Sequence, residues 1–289
     1  MKRERKAPAA DRLAVIEKIE EYERLGYFDR DVEDDPPGRV LRPDEVRYLD
    51  RRFSAKFKRN VGFVAAHFFF WIARRKKQMI LKPAQGLSHL SEVKGGAVIT
   101  CNHFNPFDRF VMQLVYDAAK RRGRMYSVIK EGNYTSFPGF FGFLMRACDT
   151  LPLSSDPVTM KHFLKAVKTA LSEGNCVLIY PEQSLWWNYR KPKPMKSGAF
   201  EMAVRSGVPV IPCFITLADS DLIGEDGFPV QIYTPHVGAP IYPDPSLNTR
   251  AAAEKMCAEN YAFCKEIYER VYGIPLSYTT EEERVGEEE

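Results

Sequence analysis

Between Arg51 and Ser91 the chain has no acidic residue. Several other absences bound what the protein can be. No G-x-S-x-G segment occurs, which excludes the nucleophile elbow of an α/β-hydrolase. The cysteines, at 101, 148, 176, 213, 257 and 264, show neither paired nor metal-type spacing. Cys101, Cys176 and Cys213 sit inside apolar runs, where cysteine packs as a small hydrophobe, so a reducing cytoplasm is expected. Met1-Lys-Arg-Glu-Arg-Lys6 leads into a polar helix and does not read as a secretory leader. No internal repeat is present. The net charge of +4 is too small to argue for nucleic acid as a partner.

What the acid-free window does hold is basic and aromatic. Arg51, Arg52, Lys56, Lys58 and Arg59 lie on one side of Val61–Ala73, and Arg74, Arg75, Lys76, Lys77 and Lys82 follow it. The run between them carries Phe68, Phe69, Phe70 and Trp71, includes Gly62 and His67, and is shorter than the ~20 residues that span a bilayer. Apolar aromatic sequence bracketed by Lys and Arg fits a segment lying in the interface of an anionic membrane. Each basic residue contributes on the order of 1 kcal/mol there, lost within a Debye length. A core helix with solvated basic ends is the other reading. The interfacial reading places the protein peripherally on the cytoplasmic face of the cell membrane.

The 289 residues, 45% apolar and 28% charged, suit one elaborated folded domain. Asp11 to Gly26 reads as a short amphipathic helix, and residues 29–43, with Pro36-Pro-Gly38 and Pro43, as a linker. Val46, Leu49, Phe53 and Phe57 recur at helical spacing, so 44–81 reads as a helix pair, or as one helix broken at Gly62. Strands are expected at 97–101, 125–129, 148–153, 176–180, 208–217, 229–234 and 237–241. Helices are expected at 106–121, from Asp156-Pro157 to Gly174, and at about 248–272. Alternation of this kind implies an α/β fold with a mostly parallel sheet flanked by helices. The tail from 276, rich in glutamate, is expected to be disordered.

Within this frame Ile99-Thr-Cys-Asn-His-Phe-Asn-Pro-Phe-Asp108 stands out. A strand ending at Asn102-His103 and turning at Asn105-Pro106 delivers an imidazole to the carboxyl edge of the sheet, where open α/β sheets bind ligands. Asn105 suits a helix cap and Pro106 the first helical position. Asp108 in the first turn can then reach back to orient His103. A His–Asp pair without its own nucleophile suits a reaction whose substrate brings the hydroxyl. Asp108 also suits a helix start for its dipole alone, and His103 could be an ordinary strand-end histidine.

Further segments belong at the same edge. Cys176–Tyr180 runs into Pro181-Glu182-Gln183-Ser184. Trp186-Trp-Asn-Tyr-Arg-Lys-Pro-Lys-Pro-Met follows as a basic aromatic loop, closed by Lys196 and Gly198 at the mouth of a helix. Gly207-Val-Pro-Val-Ile-Pro212 is an extended stretch whose prolines suit an edge or a strand end. Phe137–Leu144 fits an acyl groove or a core packing segment, and Trp186 and Trp187 fit a substrate groove or partly buried packing.

In order, Asn-His-x-x-x-x-Asp, Tyr-Pro-Glu-x-Ser, Lys-x-Gly-Ala-Phe and Val-Pro-Val-Ile-Pro resemble the glycerolipid acyltransferase family over roughly residues 85–245. The residues divide into an N-terminal helix and linker (1–43) and a tail (276–289), and the resemblance implies a membrane-interface helical motif (44–84) ahead of an αβ acyltransferase domain (85–275). It also implies acyl transfer from an acyl-carrier-protein or coenzyme A thioester to the free hydroxyl of a lysoglycerophospholipid, most directly 1-acylglycerol-3-phosphate, giving phosphatidic acid. His103 and Asp108 would then be the general-base dyad. Asn102, Lys130, Glu182, Gln183, Ser184, Lys196 and Gly198 would line the substrate. No metal or prosthetic group is required.

Two departures bear on the acceptor. The family's third block reads Pro-Glu-Gly-Thr-Arg where this chain has Pro181-Glu-Gln-Ser-Leu185, and its second often ends in arginine where this chain has Leu151-Pro-Leu-Ser154. Arginine grips phosphate bidentately. Lys130, Arg190, Lys191, Lys193 and Lys196 could replace that grip as point charges, although Arg190–Lys193 also fits a solvated loop. Acyl transfer to a different lysolipid acceptor, a hydrolase using the same dyad on water, and a lipid-binding protein without activity are the rival readings.

Overall fold

The computed structural model describes residues 7–34 and 38–280. In chain order the elements are α1 (Ala10–Arg24), α2 (Phe53–Arg75), β1 (Ile80–Leu81), α3 (Ser88–Glu92), β2 (Ala97–Thr100), α4 (Asp108–Ala118), β3 (Met125–Ile129), α5 (Glu131–Thr135), α6 (Gly139–Ala147), β4 (Thr150–Pro152), α7 (Pro157–Ser172), β5 (Cys176–Ile179), α8 (Gly198–Ser206), β6 (Val210–Ile223), β7 (Pro229–Val237) and α9 (Thr249–Tyr272). The strands form one sheet in the order β1-β7-β6-β2-β5-β3-β4. Every neighbouring pair is parallel except β6 with β7.

Side chains along the central strands alternate between two cores, as the period of a strand requires. Ala97 and Ile99 of β2 and Cys176 and Leu178 of β5 face the layer of α2, α4 and α6. Val98, Val177 and Ile179 face the opposite layer of α7, α8 and α9. The central strands are buried on both faces and read as continuous apolar runs, the mark of a parallel sheet. Asp156 caps α7 by accepting from the Thr159 amide, with Pro157 at the first helical position.

Several expected boundaries move. α4 begins at Asp108 because Asn105 caps a preceding turn, its side chain accepting from the Phe107 amide. Where two strands are expected over 229–241 there is one, Pro229–Val237, and Ile241 makes only an isolated bridge to Val210. β6 is an interior strand, so Pro212 lies at neither an edge nor an end. Pro212 sits opposite Thr100, one residue before the β7 ladder begins at Cys213. Ile80–Leu81 joins the sheet as its edge strand, so the sheet domain begins before residue 85.

At the C-terminus Leu276 packs in the core and the Tyr278 hydroxyl reaches the Pro192 carbonyl, so residues 276–280 belong to the fold. The acidic stretch 281–289 and linker residues 35–37 lie outside the described residues. The cysteines, including those buried in the strands, are all free thiols.

The largest difference is α2. One uninterrupted helix runs through Gly62, and residues 44–52 before it form turns. Gly62 does not break the helix because it lets α2 approach α6: a Cβ there would meet Ala147 Cβ at 2.9 Å and Cys148 Sγ at 3.0 Å. Ala66, Phe70 and Ala73 extend the same inward face, and Phe70 stacks on Phe110 at 3.5 Å between ring centroids. Phe70 is 5% exposed, so it belongs to the core and not to a membrane-facing surface. Phe69 is half-buried, against Phe140 and Phe141 of α6.

Phe70→Ala is expected to cost about 3–5 kcal/mol in denaturant unfolding, as large-to-small core changes do. Gly62→Val, forced against α6, should cost about 1–3 kcal/mol by overpacking.

Candidate active site

Asn102, next but one after β2, uses its side-chain amide as if it were backbone. Its Oδ1 accepts from the Ile215 amide at 2.8 Å and its Nδ2 donates to the Ile215 carbonyl at 3.0 Å. The strand pairing is thereby prolonged by one side chain, and the next residue, His103, leaves the sheet at its carboxyl edge. The His103 amide donates to Glu182 Oε2 at 3.2 Å, and its carbonyl accepts from the Trp186 amide at 3.1 Å. The loop after β5 therefore fixes the loop after β2.

Asp108 opens α4 and turns back to His103, its Oδ2 lying 2.5 Å from Nδ1. The same oxygen accepts from the Phe104 amide at 3.2 Å, and Oδ1 accepts from the Tyr180 hydroxyl at 2.9 Å. Three donors and a helix N-terminus thus stabilise a buried carboxylate without a cation of its own. The Tyr180 ring also stacks on the imidazole, with centroids 4.3 Å apart and planes at 18°. Burial and the neighbouring Asp108 push the Tyr180 phenol well above its ordinary value, so it remains a donor. The His103 side chain is 22% exposed, while that of Asp108 is sealed beneath it. With Nδ1 engaged, Nε2 is the ring nitrogen left for a reacting hydroxyl, and no hydrogen bond to it is found among the described residues.

Tyr180 is the member of this arrangement that the sequence reading quoted but gave no role. Its signal was a hydroxyl at the end of an otherwise apolar strand, pointing to a partner at that edge.

The other candidate residues divide sharply. Glu182 is buried, its Oε1 accepting from the Lys193 amide at 2.9 Å and its Oε2 from His103, so it braces the site and does not line it. Ser184 is buried as well, its hydroxyl donating to the Phe28 carbonyl at 2.7 Å. Gln183 is exposed at φ +67°, in the left-handed region where glycine is the unstrained choice. Gly198 opens α8 beside open space. Trp186 is fully buried and Trp187 nearly so, which makes them packing residues and not groove walls. They form a satellite core with Val15 and Ile19 of α1 and with Val32.

The basic loop is neutralised. Lys130 pairs with Asp31 at 2.5 Å, Lys191 with Glu23 at 2.6 Å, Lys196 with Asp29 at 2.9 Å and Arg190 with Asp219 at 2.7 Å. Lys193 is buried, and its Nζ donates to the Ser184 carbonyl and hydroxyl at 2.7 Å each. Burial pushes its pKa down to about 8 against the opposing pull of Glu182.

Among the described residues no group of His, Cys, Asp and Glu side chains is placed to hold a metal ion. A cavity of about 400 Å³ lies away from the dyad, between the start of α2 and the entries to β3 and β4. Its cations are interleaved with acids, as in Arg52–Asp50 at 2.5 Å and Arg124–Asp149 at 3.9 Å.

A family model, Acyltransferase, matches residues 56–216, more than half of the chain and all of the elements that build the dyad. The chain belongs to the Acyltransferase family. A similar solved structure is that of the 1-acyl-sn-glycerophosphate acyltransferase PlsC from Thermotoga maritima, at 17% identity and a TM-score of 0.51, covering 79% of this chain and 86% of that one. At that identity the likeness establishes the fold: a mostly parallel sheet flanked by helices, with helices before it. No curated protein matches the chain at a significant level.

Tyr180→Phe keeps the stacked ring and removes one donor from Asp108. Denaturant unfolding is expected to show a loss of roughly 1.5–3 kcal/mol, the worth of one hydrogen bond to a charged group, and turnover to fall about tenfold or more. Turnover equal to wild type would show that the hydroxyl has no part in holding the dyad.

Proposed function

We propose that this acyltransferase moves a fatty acyl group from an acyl-carrier-protein or coenzyme A thioester to the free hydroxyl of a lysoglycerophospholipid, with His103 as general base. The observation that carries this reading is the His103 Nδ1 to Asp108 contact of 2.5 Å, in a pair whose imidazole alone reaches solvent. Nε2 of His103 takes the proton as the lipid oxygen attacks the thioester carbonyl. Asp108 holds the tautomer and balances the imidazolium, and the proton is then available to the departing thiolate. Among the described residues no serine or cysteine is hydrogen-bonded to His103 or Asp108, which favours direct attack by the acceptor over an acyl-enzyme. The acceptor named for the Thermotoga maritima enzyme, 1-acyl-sn-glycerophosphate, belongs among the lysolipids to assay.

A second surface supports a peripheral position on an anionic cytoplasmic membrane. Phe53, Phe57, Val61, Val64, Phe68 and Trp71 recur at three- and four-residue steps along α2 and are all exposed, Phe53 by 85%. They form one apolar stripe opposite the buried Gly62-Ala66-Phe70-Ala73 face. Phe140 and Phe141 of α6 widen it through Phe69. Lys56, Lys58, Arg74 and Arg75 flank the stripe, whereas Arg59 turns into the cavity beside Asp149 and Arg51 and Arg52 pair with Glu173 and Asp50. No helix among the described residues is long and apolar enough to cross a membrane.

The test is lipid mass spectrometry on a labelled acyl thioester mixed with several lysolipids. Wild type should yield a diacyl product, and His103→Ala and Asp108→Asn should lower its rate by about 10²–10⁴-fold while unfolding as wild type does. Equal product from wild type and His103→Ala would defeat the reading. On vesicles, Phe57→Ser with Trp71→Ser should weaken binding to anionic lipid by about tenfold or more, given about 1.5–3 kcal/mol for each large side chain buried. Phe70, turned inward, is not part of that surface.

A further inference from the structure

Five cations stand where the loops after β3 and β5 gather at the carboxyl edge, and each already has a protein partner. Of the partner acids, Glu23 lies in the last turn of α1, and Asp29 and Asp31 come from the segment that follows it. That segment is seated in alternation. Its carbonyls at Phe28 and Arg30 accept from the Ser184 hydroxyl at 2.7 Å and the Trp186 indole at 2.9 Å. Its side chains at Asp29 and Asp31 meet Lys196 and Lys130.

Sheet order fixes where these groups stand. β5 lies between β2, which delivers His103, and β3, which delivers Lys130. The Lys196 amide donates to the Pro181 carbonyl at 2.9 Å, just past β5. With strands about 4.8 Å apart, Lys130 sits two strands from the dyad and Lys196 about one. The segment is also anchored by burial. Val32 beyond it and Val15 and Ile19 before it pack on Trp186 and Trp187, and Phe28 stacks on Trp186 at 5.6 Å.

We propose that Phe28–Asp31 is a fixed acidic wall on the head-group side of the acceptor site. The accepted lysolipid carries a zwitterionic head, and one ending in a phosphomonoester is turned away. This rests on the acyl-acceptor reading above and narrows its substrate class. The lysines are not vacant for a dianion, and a phosphomonoester brought to them meets two carboxylates at the same distance. Both pairs are about half exposed, so they present an anion and a cation side by side to an incoming head group. A phosphodiester carrying an ammonium group matches that doublet. Specificity of this kind comes as much from the repulsive charge as from the attractive one.

Calorimetric titration of the full chain with soluble short-chain lysolipids tests it without turnover. A hexanoyl lysophosphatidylcholine should bind wild type about tenfold more tightly than hexanoyl glycerol 3-phosphate. Asp29→Asn with Asp31→Asn should erase that preference, and Asp31→Asn alone, at an exposed pair, should reduce it. Equal or tighter binding of the phosphomonoester to wild type overturns the proposal, as does a preference unchanged in the variants or binding of neither lipid. Selective binding without acyl transfer would sink the enzymatic reading and sustain this one, whereas transfer without charge selection would do the reverse.

Discussion

A carboxylate sealed from water beside a partly open imidazole is the constraint on which this site depends. At the start of α4, Asp108 accepts from the Phe104 amide and the Tyr180 hydroxyl, and its Oδ2 faces Nδ1 of His103. Three strands contribute to the arrangement. β2 brings the histidine, β5 brings the tyrosine that stacks on it, and Asn102 ties the loop between them to β6. Removing any of these would leave the two catalytic candidates in place but free to turn.

Much of this was legible in the chain. The apolar runs at Ala97–Thr100, Met125–Ile129 and Cys176–Ile179 announced strands buried on both faces, and their alternation with helices implied a parallel sheet. The His103–Asp108 spacing announced the dyad because a strand end and a helix start are local features. Long-range partners were not legible. Glu182, Ser184 and Lys196 carry the right chemistry for a substrate, but their partners lie far away in sequence, at His103, Phe28 and Asp29. No periodicity could have said that the basic aromatic loop is the socket for an N-terminal segment. Likewise Phe68, Phe69, Phe70 and Trp71 look alike as a run, and only the 3.6-residue turn divides Phe70, packed on Phe110, from its exposed neighbours.

The molecule also divides its charge. Lys56, Lys58, Arg74 and Arg75 on α2 face outward with an apolar stripe between them. Those of the 190–196 loop are consumed internally by Glu23, Asp29, Asp219 and Ser184. Clusters of like composition thus meet two ends, one exposed on α2 and one closed around the chain's own acids. Family membership accounts for the sheet, and in the proposed reaction the closed cluster is what individualises the acceptor side.

The central claim is that the imidazole acts on a lipid hydroxyl and not on water. Single-turnover analysis of an acyl thioester, with and without lysolipid, measures released thiol against acylated lipid and free fatty acid in one reaction. Thiol release that rises with acceptor and matches the acylated lipid mole for mole is the predicted result. Release indifferent to the acceptor, with free fatty acid as the product, would contradict it.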